Sequence, residues 1–152
     1  MNVFEFDAHA LRQIAGSVNP LLTVLLIGAI FWRRRVDARF PMARFALCAL
    51  LAIVASVILG RINEKLRLWP ADLEFPSGHT CYAASVATSL CLLNRRWLFF
   101  VVPLLAAYGA LIVHLKFHVW LDVIGAWVLM PPIAWAIHRT SPGNKLESKE
   151  SP

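Results

Sequence analysis

Charge is scarce in this chain: Asp, Glu, Lys and Arg together make up only 16% of its 152 residues, against about 25% in an ordinary soluble domain. A disordered segment or a long coiled coil needs far more polar surface than that, so both are excluded. Cysteine is scarce as well. Its three copies, Cys48, Cys81 and Cys91, are odd in number and lie in or beside apolar runs. No disulfide framework or cysteine-based metal site follows, and they read as small packing residues. No internal repeat stands out, and the first apolar run reads as an uncleaved anchor and not a signal peptide, because the charged triplet Arg33-Arg34-Arg35 follows it instead of preceding it. What the chain has is apolar residues, 59% of it, or about 64% with the seven glycines included. The length suits a single domain, and the solvent this composition requires is a bilayer.

The net charge of +6 does not make a nucleic-acid partner. The positive residues fall in short clusters between long uncharged runs, as membrane loops do, and not along one basic face. Those runs predict an all-α polytopic membrane helix bundle of about five spans. They are Gln13 to Trp32, Phe45 to Gly60, Ser77 to Asn94, Trp97 to about Leu115, and about His118 to His138 with Pro131-Pro132 inside. Residues 3 to 15 mix apolar and polar side chains and predict a short N-terminal helix lying in the interface. Residues 1–140 form the single transmembrane domain, and 141–152 a polar, disordered tail. Trp32, Trp69, Trp97 and Trp120 sit near span ends as an aromatic belt. The small residues Ala83, Ala84, Ser85, Ala87 and Ser89 suit a buried central helix.

If the loop after the first span is cytoplasmic, that side carries ten of the Lys and Arg residues and the other side five: Arg12, Arg61, Lys65, Arg67 and Lys116. The bias predicts an N-out, C-in arrangement. It puts the 61–80 loop and the 114–122 turn together on the outer side, and those two segments hold nearly all of the reactive side chains.

In Phe75-Pro76-Ser77-Gly78-His79-Thr80, the proline suits a helix start and Ser77 suits an N-cap. A small Ser-Gly pair leaves the first amides accessible, and a helix N-terminus attracts anions. His79 falls in the first turn beside any anion held there, although a plain cap with an interfacial histidine fits equally. The second segment is His114-Leu-Lys116-Phe-His118-Val-Trp-Leu-Asp122. A helical spacing of four puts His118 and Asp122 on one face. A carboxylate at that depth costs up to roughly 2.5–3.5 kcal/mol unless paired, and His118 is the nearest partner. Such a pair makes an imidazole nucleophilic by fixing its tautomer and steadying the charge that forms, or else it simply holds two helices together. His114 reads as a boundary residue.

Pro76-Ser77-Gly78-His79, followed on the next-but-one helix by His118-x-x-x-Asp122 with Val123 and Gly125 behind it, resembles the type 2 phosphatidic acid phosphatase superfamily. The resemblance covers roughly Arg61 to Trp135. It implies phosphoryl transfer through a phosphohistidine with no metal or other cofactor. His118 is then the nucleophile, Asp122 its partner and His79 the general acid, while Ser77, Gly78 and the His79 amide hold phosphate oxygens. It further implies a lipid phosphate or diphosphate substrate. With the charge bias above, the expected location is a bacterial plasma (inner) membrane with the site at the outer face. The resemblance is silent on oligomeric state.

Two departures from the family pattern concern cations. The first motif, a Lys and an Arg-Pro, fails in register, since anchoring on Pro70 puts Ile62 and Trp69 at those places. Arg61, Lys65 and Arg67 are the nearby replacements; Lys65 and Arg67 are favoured, and Arg61 reads as a helix end whose stem snorkels. An Arg six residues before the nucleophile is replaced by Ile112, with Lys116 the nearby substitute, which offers a point charge in place of a bidentate fork. Three other readings stay open: a lipid phosphotransferase with the same core, a catalytically weak lipid-phosphate binder, and a metal or haem protein using His79, His114, His118 and His138.

Overall fold

The computed structural model describes residues 3–66 and 75–140, with side chains left undescribed at 3–8 and 63–66. Among these residues every regular element is helical: α1 (Val3–Val36), α2 (Met42–Leu66), α3 (Gly78–Leu93), a 3-10 turn (Arg95–Trp97), α4 (Leu98–His114) and α5 (Trp120–Thr140). The fold is a polytopic helical bundle, as composition and hydropathy require. Four stretches are long and apolar enough to cross a membrane: His9–Val36, Met42–Ile62, Arg95–His114 and Trp120–Thr140.

α3 is the short one, at 16 residues, where a full crossing takes roughly 20. It is also the most enclosed helix, packed against α1, α2 and α5. Ala83, Ala84, Ser85, Ala87 and Ser89 are all buried along it. Lipid tails are as apolar as leucine, so helices in a bilayer associate by close contact rather than by escaping water. Small side chains let three neighbours approach α3 at once. The large apolar side chains point the other way: Val24, Phe31 and Val128 are each more than 60% exposed, the surface a hydrocarbon solvent calls for.

The N-terminus departs from the expected pattern. The interfacial helix and the first span are one continuous 34-residue helix, running through Pro20. No glycine or proline interrupts the chain before Gly16, and Ala, Leu, Arg and Gln are strong helix formers, so nothing stops the helix at residue 15. At about 1.5 Å per residue α1 is about 51 Å long, well beyond a hydrocarbon core of about 30 Å. Its first turns therefore reach past the apolar layer.

The expected disordered tail, 141–152, lies outside the described residues. At the end of the bundle near it, the His138 ring hydrogen-bonds the Ser89 hydroxyl at 3.2 Å and packs on Phe45. Ser89 is ten residues along α3 from His79, about 15 Å, so His138 takes no part in a cluster with the other histidines. Among the described residues no group of His, Cys, Asp and Glu has the spacing to hold a metal ion.

The central position of α3 gives a direct test. Ala87→Leu is expected to cost about 1–3 kcal/mol through overpacking, seen as a lower unfolding midpoint in detergent micelles. An unchanged midpoint would put that face of α3 against lipid instead.

Candidate active site

Four contacts fix the approach to α3. Ser77 is fully buried and caps the helix, its hydroxyl accepting from the Thr80 amide at 3.4 Å and from the Thr80 hydroxyl at 3.0 Å. Its own amide donates to the Asp122 carbonyl at 3.2 Å, tying the start of α3 to the first turn of α5. Before it, the Phe75 ring lies on Gly125 so closely that a Cβ there would overlap the ring. On the far side, a Cβ on Gly60 would come within 2.8 Å of the Gly78 Cα, so α2 and α3 meet glycine to glycine. The Cys81 amide bonds to the Ser77 carbonyl and the Thr80 amide to the Ser77 side chain. Gly78 and His79 are left as the two first-turn amides that the cap does not use.

The second segment begins where α4 ends. The Phe117 amide donates to the Ile112 carbonyl and the Lys116 amide to the Val113 carbonyl, both at 3.0 Å. These are the two bonds of a Schellman stop. Lys116 holds the left-handed position with φ 58°, a place where glycine is usual. The chain then turns into α5, whose first helical residue is Trp120.

His118 therefore precedes α5 and is not on it, which corrects the shared-helix-face geometry expected from the spacing. Asp122 stands three residues past Val119 and its carboxylate reaches back to the Val119 amide at 3.3 Å, as the acidic residue of a capping box does. The same oxygen lies 3.4 Å from His118 Nδ1. Only 8% of the His118 side chain and 3% of the Asp122 side chain are exposed. The carboxylate is thus held by an imidazole, an amide and the positive end of the α5 dipole. Nδ1 is the nitrogen turned to Asp122, and the ring lines both of the cavities that open beside it.

His79 is exposed, and its ring centre lies 6.5 Å from that of His118. Near-attack geometry puts a nucleophile about 3–3.5 Å from its target, and a proton donor sits about 2.8 Å from a leaving oxygen. Two imidazoles at this separation can flank one phosphorus-sized group. Two cavities open from the pair. One, of about 720 Å³, lies between α1, α2 and α3 and is walled by Pro20, Val24 and Val57, with Arg61 and Gly78 beside the imidazoles. The other, of about 420 Å³, is lined by Arg12, Tyr108, Ile112 and Phe117 as well as by both histidines.

A family model described as the PAP2 superfamily matches residues 60–146, more than half of the chain. The chain belongs to the PAP2 superfamily. No curated protein and no solved structure matches it. PAP2 proteins are generally phosphatases, and the matched stretch contains Ser77, His79, His118 and Asp122 but none of α1.

Against that family frame, the structure brings together His79, His118, Asp122, Gly78 and Arg61. Arg61, expected to be a snorkelling helix end, lines the larger cavity with both imidazoles. Ser77, fully buried, underlies the cradle, its hydroxyl accepting from both the amide and the hydroxyl of Thr80. Lys116 is exposed in the Schellman turn and lines neither cavity. The Lys65 side chain and Arg67 lie outside the described residues. Sequence reasoning missed two α1 residues. Asn19 donates to the His79 carbonyl at 3.3 Å, and Arg12 reaches the smaller cavity. The available signal was their spacing of seven, which repeats one face of a helix, but it shows only once residues 3–36 are known to be a single helix.

The Phe75–Gly125 contact predicts that Gly125→Ala lowers the unfolding midpoint, at about 1–3 kcal/mol, and that adding Phe75→Ala recovers most of the loss. A single variant as stable as the parent would show that the ring does not sit there.

Proposed function

We propose that this protein is an integral membrane phosphatase that hydrolyses the phosphate or diphosphate of a lipid through a phosphohistidine on His118, without a metal. The observation that carries the reading is the pair of imidazoles 6.5 Å apart, one of them backed by a buried carboxylate.

In the first step the Nε2 lone pair of His118 attacks phosphorus as the bond to the lipid oxygen breaks. That oxygen takes a proton from His79, whose ring stands in the open cavity. Asp122 stabilises the positive charge on the phosphorylated imidazole. In the second step His79, now neutral, takes a proton from water as its oxygen attacks phosphorus, and the N–P bond breaks to release phosphate. Throughout, the Gly78 and His79 amides and the Arg61 guanidinium face the phosphoryl oxygens, where transition-state charge collects.

The lipid substrate is supported by the larger cavity. Val24 and Val57, two of its walls, belong to the bilayer-facing surface, 66% and 50% exposed. An amphiphile can thus present its head to the imidazoles while its chains stay in hydrocarbon. The ten-to-five distribution of Lys and Arg supports a plasma (inner) membrane protein with this site at the outer face and a cytoplasmic C-terminus.

Phosphate release from a panel of lipid phosphates and diphosphates tests the reading. His118→Ala is expected to lose activity by about 10³-fold or more, and His79→Ala by about 10²–10⁴-fold, with chelators leaving the parent unaffected. Equal release by all three proteins would refute the mechanism. A new phosphorylated lipid in place of free phosphate would assign transfer instead of hydrolysis.

A further inference from the structure

The smaller cavity holds a cation that the matched segment does not contain. Its wall carries both imidazoles, and Arg12 is the one Lys or Arg among the described residues lining it. The guanidinium carbon stands 5.9 Å from the centre of the Phe117 ring, and Phe117 is the residue before His118. A cation over an aromatic face is held in place yet keeps its N–H donors.

The position of Arg12 is set from below. Asn19, seven residues on, donates to the His79 carbonyl. Thr23, four further, shares a 2.8 Å hydrogen bond with the Tyr82 hydroxyl on α3. Residues 12, 19 and 23 fall on one helical stripe, so the face of α1 docked on α3 is the face that carries Arg12 toward His79. The overshoot of α1 beyond the apolar layer places this turn at the level of the two imidazoles.

We propose that Arg12 is a phosphate-binding group of the active site, its guanidinium holding phosphoryl oxygens from the smaller cavity while Arg61 lines the larger one. This rests on the phosphatase reading above. A phosphoryl group in transfer spreads its charge over three oxygens, and Arg61 lines only the larger cavity. A guanidinium fork in the smaller one reaches the oxygens Arg61 does not, with two donors in fixed geometry. α1 is on this account part of the catalytic unit as well as a membrane span. The PAP2 segment alone is an incomplete site.

The test uses the full chain in detergent micelles, with two readouts: lipid phosphate hydrolysis and binding of orthovanadate, an inorganic oxyanion. Arg12→Ala and Arg12→Gln are expected to lower kcat/KM by about 10²–10³-fold and to weaken vanadate at least about tenfold, with unchanged melting. Arg12→Lys recovers only part of either loss. Ile112 lines the same cavity, so Arg12→Ala/Ile112→Arg should regain about tenfold or more over Arg12→Ala.

Hydrolysis and vanadate affinity within threefold of the parent in both neutral variants would overturn the proposal, whether or not the double variant folds. The two readings fail separately. A parent that hydrolyses, dies with His118→Ala and survives Arg12→Ala sinks the role of Arg12 alone. A parent that binds vanadate through Arg12 but hydrolyses no lipid phosphate sinks the phosphatase reading and leaves Arg12 as an anion ligand.

Discussion

The carboxylate of Asp122 is a charge kept from water at the edge of a bilayer, and the arrangement around it follows from that. An unpaired charge there is costly, and such groups persist only where partners surround them. Asp122 has three: the His118 imidazole, the Val119 amide and the N-terminus of α5. Each does something besides stabilising the charge. The imidazole is held with Nδ1 toward the carboxylate, the amide closes the cap of α5, and the helix start sets where the carboxylate stands. The carbonyl of the same residue receives the Ser77 amide. Both halves of the site are therefore referenced to one residue, and the imidazole on one and the amides of the other stay in register.

Holding the halves so close also needs backbone near backbone. Gly60 against Gly78 and Gly125 beneath the Phe75 ring remove side chains at the two places where helices or loops press on the site. The alanine and serine face of α3 does the same along the bundle axis. In a solvent that gives no hydrophobic reward for helix association, this contact is the main source of cohesion. The site thus sits at the mouth of the best-packed helix, where its geometry is least free to drift.

Local features were legible in the residues alone. Hydropathy marks four of the five expected spans to within a few residues, while the fifth, Ser77 to Asn94, is a 16-residue helix short of a full crossing; Ser77 as a cap needs only its neighbours. The spacing of His118 and Asp122 pointed to the right pair with the wrong geometry. A separation of four joins residues on a helical face, but it equally joins the residue before an N-cap to the third helical one. Only the Schellman stop at Lys116 decides between them, and a lysine in a glycine's place hides that stop. The role of α1 was not legible, because a helix's reach depends on where it stops and which face it docks. Arg12 lies outside every motif and enters through tertiary packing alone. Arg61 is visible as a candidate cation, but the Gly60–Gly78 contact beside it, which joins residues far apart in the chain, is not.

The central claim is chemical: His118 carries the phosphoryl group between lipid and water. Rapid alkaline quenching during turnover of a lipid labelled in its phosphate, followed by peptide mapping, measures it directly. The account predicts label on the peptide containing His118, as an acid-labile phosphoramidate that appears and decays at rates competent for turnover. Steady hydrolysis with no labelled protein, or with label on a different residue, would contradict it.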